Sequence, residues 1–295
     1  NCPATGSQDV WHSLSASDDG QVMVAGQAEA ANFANSMLSI STDGGQTWTE
    51  RADLGAGVWI SSAVSADGSR IVAATLDGRM VMSSDGGTNF APVTLPTGVT
   101  APSFESVTLS NDGSRIAAVA MNGPVIVGNV AQDGAVTWIT PTGLPATAGW
   151  RAIDSSNNGQ VMVAVAEDPA AFISTDAGAT WAPLIVAIGD PAVPVVDQNW
   201  YRVKVSGDGN TIAMVGNAFG GSSGNGIYVS KDGGGTFTRP FELVTDYSGI
   251  AMSADGGVIA VTHSSNGSTT GEGQVLMSPN GGGAPLRGAG GGGGG

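Results

Sequence analysis

The stretch that decides the fold is Ser41-Thr42-Asp43-Gly44-Gly45-Gln46-Thr47-Trp48, an octapeptide that reads S-x-D-x-G-x-T-W. An aspartate carboxylate in this position accepts backbone N–H groups across a tight turn, and glycine adopts the positive φ angles that such a turn needs. The tryptophan is a large apolar side chain that packs the turn against a sheet. The octapeptide therefore predicts a hairpin between two strands.

The octapeptide recurs along the chain. A clean second copy runs from Ser174 to Trp181, and looser copies run from Ser83 to Phe90, Ala131 to Trp138 and Ser230 to Phe237. A degenerate copy runs from Ser278 to Pro285. We interpret the aspartates of these copies as structural turn formers rather than catalysts, namely Asp43, Asp85, Asp133, Asp176 and Asp232.

A second repeated pattern places an aromatic residue six positions before a serine that opens an S-x-[DN]-G turn. Successive aromatic residues are 45 to 50 residues apart, and each is expected in the core. The six pairs are Trp11/Ser17, Trp59/Ser65, Phe104/Ser110, Trp150/Ser156, Trp200/Ser206 and Tyr247/Ser253. A constant offset held through six copies predicts six structural repeats.

Each repeat reads as four short strands. In the fifth repeat the strand after Trp200 leads through a turn to the small apolar strand 212–215, then to a third strand at 227–229 and a hairpin. Repeats of this kind predict an all-β, six-bladed β-propeller of four-stranded antiparallel blades, with the aspartate hairpin between the third and fourth strands.

The predicted propeller is a single domain over residues 1–287, with blades that start near the six aromatic residues. Residues 288–295 are nearly all glycine and predict a tail or linker. The last blade has Pro285 and several glycines where its outer strand should be. We expect that residues before Trp11 complete that blade, or that the chain is a fragment.

Composition limits the function. The formal net charge is −15 and only Lys204 and Lys231 are lysines, which argues against nucleic acid and anionic membranes as partners. A single cysteine, Cys2, excludes an intrachain disulfide and is either inert or paired between chains.

The sequence predicts no metal site and no cofactor. No run of 18 apolar residues exists, so no membrane insertion is predicted.

The start, Asn1-Cys2-Pro3, is neither a signal peptide nor an initiator methionine, so we expect a processed, mature chain. Asn266-Gly267-Ser268 is an N-glycosylation sequon, which makes Asn266 a candidate glycosylation site. Both observations favour a secreted or cell-surface protein.

The predicted topology puts both kinds of turn at one end of the strands and the variable loops at the other end, where binding residues usually lie. Residues directly after the repeat aromatics are therefore the candidate binding residues at the mouth of a central channel: His12, Glu105, Arg151, Tyr201 and Arg202. Acidic residues expected nearby are Asp154, Asp197, Glu242 and Asp246. These residues either line a wet channel or supply a carboxylate pair for acid/base work on a glycosidic bond.

The octapeptide resembles the Asp-box (BNR) repeat of sialidase-like β-propellers, and the resemblance covers most of the chain from Trp11 to Pro285. It implies three arginines for the substrate carboxylate, an aspartate acid/base and a tyrosine nucleophile paired with a glutamate. The chain has no R-I-P motif, and Arg51 is its first arginine. Only Tyr201, Tyr228 and Tyr247 are available as nucleophiles. The sialidase catalytic set does not carry over, and fold resemblance alone supplies no activity.

The sequence therefore favours a non-catalytic extracellular interaction or assembly module. Its variable loops would face a protein neighbour, a second copy of the chain or a glycan. The alternative is a glycoside hydrolase or lyase of sialidase-like fold, with a site around Glu105, Arg151 and Arg202 at the channel mouth. A lectin is a third hypothesis, but the differing loops argue against six equivalent sugar sites.

Overall fold

The computed structural model describes residues 11–27, 36–167, 170–188, 193–194, 199–217, 226–241, 246–264, 274–282 and 287–288. These residues form strands and one short 3-10 helix, Ala52–Leu54, which confirms the predicted all-β class. Cys2 and Asn266 lie outside the described residues. Contacts divide the chain into two units, residues 1–153 with 176–181 and residues 154–175 with 182–295.

The first two repeats each form a separate four-stranded antiparallel sheet in chain order. Their strands are β1 (Trp11–Ala16), β2 (Met23–Gln27), β3 (Leu38–Ser41), β4 (Thr49–Glu50), β5 (Trp59–Val64), β6 (Ile71–Thr75), β7 (Met80–Ser83) and β8 (Ala91–Pro92).

The third and fourth repeats share one eight-stranded sheet. Its strands are β9 (Ser103–Leu109), β10 (Arg115–Gly123), β11 (Val125–Val130), β12 (Val136–Ile139), β13 (Ala148–Ser155), β14 (Met162–Ala166), β15 (Ala171–Ser174) and β16 (Ala182–Pro183). The two repeats are joined because β10 pairs with β13 at Met121 and Gly149.

The fifth and sixth repeats again form separate four-stranded sheets, preceded by a two-stranded one. The strands are β17 (Ala187–Ile188), β18 (Val193–Pro194), β19 (Asn199–Val205), β20 (Ile212–Asn217), β21 (Gly226–Ser230), β22 (Thr238–Phe241), β23 (Asp246–Met252), β24 (Ile259–Ser264), β25 (Gln274–Ser278) and β26 (Arg287–Gly288).

Strand pairing thus gives four separate four-stranded sheets, for repeats one, two, five and six. The six-bladed arrangement and the single domain over 1–287 stay predictions. One expectation is corrected: the fourth strand of the sixth sheet is β26, whose Gly288 pairs with Leu276. The sixth repeat therefore supplies its own outer strand, and Gly288 belongs to the sheet rather than to the tail. Residues 1–10 and 289–295 lie outside the described part.

Within each unit, core clusters lie between consecutive sheets. Each second strand is small and apolar, and residues 71–75, 116–120 and 162–166 are almost fully buried. The repeat aromatics are also core residues, as predicted, except that Trp11 is 37% exposed whereas Trp59 is 0% exposed. Trp59 packs on Val24 and Leu38 of the first sheet. Small residues in the second strand let these sheets approach each other closely.

The two kinds of turn lie at the same end of the strands, which confirms the prediction. The N–H of Gly44, in an octapeptide hairpin, donates to the carbonyl of Gln21, next to a serine turn, at 3.0 Å. The serine turns of neighbouring repeats are also bonded main chain to main chain. The N–H of Asp18 donates to Ala66 O at 3.0 Å, and the N–H of Ala66 donates to Asn111 O at 2.8 Å.

The octapeptide aspartates close their turns as expected. Asp43 Oδ1 accepts the N–H of Thr47 at 2.9 Å, and Asp43 Oδ2 accepts the Thr47 hydroxyl at 2.5 Å. Thr180 makes the equivalent bonds to Asp176, and Thr236 makes them to Asp232. Asn89 takes the place of the threonine beside Asp85, donating from its main-chain N–H and its side-chain amide.

The hairpin at Asp133 has a different geometry. Its carboxylate accepts the N–H of Ala135, two residues on, at 3.0 Å. The fourth strand here starts early, because Val130 already pairs with Val136. This loosest copy of the octapeptide is therefore an ordinary short hairpin, in which Asp133 still serves a turn.

The hydrogen bonds lower the pKa of two octapeptide aspartates to about 2. For Asp43 the main cause is the Thr47 hydroxyl, and for Asp232 it is the main-chain N–H of Thr236. An unperturbed aspartate has a pKa of about 4. Because the folded pKa is depressed, the stabilisation is complete above pH 4 and is lost as the pH falls towards 2.

We therefore expect the thermal unfolding midpoint to fall steeply between pH 4 and pH 2. The double variant Asp43→Asn/Asp232→Asn should be less stable than the wild type at pH 7. Its unfolding midpoint should fall by a smaller amount between pH 4 and pH 2. Calorimetry across the pH range measures both effects. Asp18→Asn, an exposed aspartate outside the octapeptides, is the control and should follow the wild-type curve; equal slopes for all three proteins would contradict the prediction.

Candidate functional site

In the five repeats whose register is described, the first strand bulges directly after its aromatic residue. In the second repeat Trp59 pairs with Thr75 but Ser61 pairs with Ala74, which leaves Ile60 as the extra residue. The same register shift leaves an extra residue in four other repeats: His12, Glu105, Tyr201 and Ser248. A bulge bends a strand and re-aims the side chain of its extra residue.

Three of the predicted site residues therefore occupy one equivalent structural position. Each of these strands runs from the bulge to the serine turn. With a rise of roughly 3.3 Å per residue, the two ends are about 20 Å apart. The bulges thus lie at the strand end that carries the variable loops. Sequence reasoning missed Ile60 and Ser248, although both directly follow a repeat aromatic.

In the first unit the structure brings Glu105 and Arg151 together. Arg151 Nη1 is 3.3 Å from Glu105 Oε2, and the two side chains are 20% and 13% exposed, respectively. Next to this pair the Ser106 hydroxyl donates to the carbonyl of Ile153 at 3.3 Å. These contacts join β9 to β13. His12 is exposed on β1 of the same unit.

In the second unit Tyr201 and Arg202 contact each other. The Arg202 guanidinium carbon lies 3.9 Å from the centroid of the Tyr201 ring, and Nη1 donates to Tyr201 O at 3.0 Å. A guanidinium over an aromatic face is held by the ring quadrupole. The pair presents a cation and a flat ring together on β19.

Asp154, expected near the site, pairs with a lysine within the second unit. Lys204 Nζ is 3.1 Å from Asp154 Oδ1, and Asp154 Oδ2 accepts the N–H of Val205 at 2.8 Å. The Lys204 side chain is 41% exposed. The other acidic residues expected here are not characterised: Asp197 and Glu242 lie outside the described residues, and only the backbone of Asp246 is described.

Glu105 and Asp154 thus each have a cation as their partner. Each ion pair joins two neighbouring strands, Glu105–Arg151 across β9 and β13 and Asp154–Lys204 across β13 and β19. Within the described ranges, no group of three or more His, Cys, Asp or Glu residues is placed to hold a metal ion. No helix in the described part is long and apolar enough to span a membrane.

Two grooves lie at the turn end of the first unit. One, of about 480 Å³, runs between the strand end at Phe90–Val93 and the hairpin at Asp133. The other, of about 380 Å³, runs between Thr49–Arg51 and the hairpin at residues 86–88. Each lies between the outer strand of one repeat and the octapeptide hairpin of the next. The repeat pattern in the sequence predicts neither groove.

Arg51 shows what holds the smaller groove together. Its Nη1 donates to Gly87 O in the next repeat, and its guanidinium carbon lies 4.8 Å from the centroid of the Phe90 ring. Asp53 fixes the same guanidinium through two bonds of 2.8 Å. Arg51 therefore links the first two sheets through these contacts.

Comparison with known proteins agrees with this geometry. Residues 39–50 match the BNR/Asp-box repeat family, which confirms the resemblance found in Ser41–Trp48. The chain thus carries an Asp-box repeat on an all-β, propeller-like fold. No curated protein matches the chain.

Several solved structures share the fold. YCF48 bound to the D1 peptide is 14% identical with a TM-score of 0.64, over 98% of this chain and 83% of that chain. Kuenenia stuttgartiensis hydrazine synthase is 14% identical with a TM-score of 0.64, over 94% and 79%. YCF48 from Cyanidioschyzon merolae is 15% identical with a TM-score of 0.62, over 95% and 85%. Identities this low establish similarity of fold alone.

Proposed function

We propose that the chain is a non-catalytic protein-binding module that holds a segment of a partner protein at the bulge residues of one unit. The observation that carries the proposal is the bulge itself, which places a histidine, an isoleucine, a glutamate, a tyrosine and a serine at one repeated position. Constant turns with varied side chains at the opposite strand end are typical of a rigid scaffold that carries a binding surface.

The side chains at these positions suit protein recognition. Tyrosine and arginine are enriched among the residues that dominate binding energy, and Tyr201 and Arg202 are already stacked. The part-buried Glu105–Arg151 pair is held in place before a ligand arrives, which lowers the entropy cost of binding. One of the proteins with a similar fold, YCF48, has been solved with a bound peptide, which supports the same mode of use here.

The proposal includes a six-bladed propeller at the cell surface or in the extracellular space. The six sequence repeats support the blade number. The strand pairing also supports it, because four repeats form separate four-stranded sheets and the other two repeats share one eight-stranded sheet. The net charge of −15 argues against nucleic acid as the partner. A glycan is the other ligand class that a polar bulge surface would accept.

Selection from a library of linear peptides displayed on phage tests the binding role. Peptides enriched on the wild-type protein should bind Arg151→Ala at least about 10-fold more weakly, because this substitution removes a cation and leaves Glu105 part-buried without it. Titration calorimetry with synthetic peptides measures the change. Gln46→Ala, an exposed substitution at the opposite strand end, should bind as the wild type does.

Two results would contradict the proposal. Enriched peptides that bind Arg151→Ala as tightly as the wild type would move the site away from the bulges. Hydrolysis of a panel of fluorogenic glycosides by the wild type, lost in Glu105→Gln, would instead establish the glycoside hydrolase that the sequence left as the alternative.

A further inference from the structure

The chain contains five asparagines that are followed directly by glycine. In such a pair the asparagine carboxamide can react with the main-chain nitrogen of the next residue, because glycine has no Cβ to hinder the approach. Asn122, Asn158 and Asn280 belong to the described part of the chain, and all three are exposed. Asn225 and Asn266 lie outside the described residues. The surroundings of the three described asparagines decide which of them can react.

The turn that contains Asn158 holds both reacting groups. Asn158 Oδ1 accepts the Ser156 hydroxyl at 2.9 Å and the N–H of Gln160 at 3.0 Å. The N–H of Gly159, which carries the nitrogen that would attack, donates to Ser156 O at 2.8 Å. A reaction at Asn158 would therefore have to break these hydrogen bonds first.

Asn280 is held in a similar way. Its Oδ1 accepts the Ser278 hydroxyl at 3.0 Å, and the N–H of Gly281 donates to Gly257 O at 2.6 Å. In both turns a serine stands two positions before the asparagine, and the glycine that follows is buried. The same kind of turn therefore protects both asparagines.

Asn122, near the end of β10, has different surroundings. Two positions before it stands Ala120, which has no hydroxyl to donate to the carboxamide. Asn122 has a positive φ of 53°, and it is the extra residue where the register of β10 against β13 shifts between Met121 and Gly123. Gly123 is only part-buried. The strand pairing is thus interrupted at the residue that would react.

We propose that Asn122 is a site of spontaneous deamidation. The Gly123 nitrogen attacks Asn122 Cγ, so that a new N–C bond closes a cyclic imide. The bond from Cγ to Nδ2 breaks, and the amide leaves as ammonia together with the proton of the Gly123 nitrogen. Water then opens the imide at one of its two carbonyls, which yields aspartate or isoaspartate.

Both products add a negative charge at the bulge end of β9, because Met121 pairs with Ser103, two residues before Glu105. Isoaspartate also lengthens the main chain of β10 by one carbon atom beside its pairing with β13. The inference concerns a chemical modification and stands independently of the proposed peptide binding.

Incubation of the folded protein at pH 8, followed by proteolysis and mass spectrometry, tests the proposal. The peptide that contains Asn122 should gain the mass of the acid at least about 10-fold faster than the peptides of Asn158 and Asn280, because the latter two must first lose hydrogen bonds. Chromatography that separates isoaspartyl from aspartyl peptides identifies the route through the imide. In denaturant the three asparagines should react at similar rates, which is the control for their local sequences.

Two variants complete the test. Asn122→Gln should abolish the product at this position, because glutamine would have to close a larger ring, and should leave the rates at Asn158 and Asn280 unchanged. Ser156→Ala should speed the reaction at Asn158 but not at Asn122, with circular dichroism melts to check that it is folded. Equal rates at the three asparagines of the folded wild type would overturn the proposal. An Asn122 that reacts in denaturant but not in the folded protein would also overturn it.

Discussion

Replacing Trp59 by alanine is expected to lower the free energy of unfolding by about 3–5 kcal/mol. The side chain is 0% exposed and packs on Val24 and Leu38 of the first sheet and on Ile71 of its own sheet. Alanine would leave a cavity between two sheets that are joined by main-chain bonds at their turns and cannot collapse freely. Chemical denaturation followed by far-UV circular dichroism measures the loss.

Trp11→Ala is the control for this experiment, because Trp11 holds the same repeat position but is 37% exposed. Its cost should stay below about 1 kcal/mol, in the range of surface substitutions. The variant Trp59→Phe keeps an aromatic ring but removes the indole N–H. Because Trp59 Nε1 is buried without a hydrogen-bond partner, its removal should offset part of the stability lost with the smaller ring. Equal losses for Trp59→Ala and Trp11→Ala would contradict the packing described here.

Gly26→Ala is expected to cost about 1–3 kcal/mol or more, although it adds only one methyl group. That methyl would lie 2.2 Å from the carbonyl oxygen of Trp59 and 2.9 Å from its Cβ. A backbone carbonyl cannot rotate away as a side chain can, so β2 and β5 would have to separate. Thermal melts of the variant measure the cost.

The double variant Gly26→Ala/Ser13→Ala identifies which contact is responsible. The Ser13 hydroxyl would also lie 2.5 Å from the new methyl group, and it donates to the Trp59 carbonyl at 3.3 Å. If the carbonyl sets the cost, truncation of Ser13 leaves the double variant as unstable as Gly26→Ala. Recovery of wild-type stability would assign the clash to the side chain instead.

Local turn chemistry made much of the fold predictable. Asp43 and Asp232 bind the groups that their octapeptides place four residues away, and the small residues of 71–75 and 212–215 form the expected buried strands. The joining of β10 to β13 was not predictable, because it pairs Met121 with Gly149 in the next repeat. Non-local pairing of this kind leaves no turn signal in the sequence.

The positions of the bulges were predictable from the sequence, but the contacts made there were not. The offset from each aromatic located His12, Glu105 and Tyr201, because the bulge follows the aromatic in every repeat whose register is described. The partners were not predictable. The sequence grouped Glu105, Arg151 and Arg202, whereas the structure pairs Glu105 with Arg151 in one unit and Arg202 with Tyr201 in the other. The turn-end grooves depend on outer strands only two residues long, which carry no periodicity.

The bulge has a consequence for evolution and for engineering. Its extra residue faces no cross-strand neighbour in the register, so a substitution there leaves the ladder of the sheet intact. Positions 12, 60 and 105 in one unit, and 201 and 248 in the other, can therefore drift independently of the aromatic that anchors each strand. A combinatorial library confined to these codons would diversify specificity on an unchanged framework, much as antibody loops vary on a fixed sandwich.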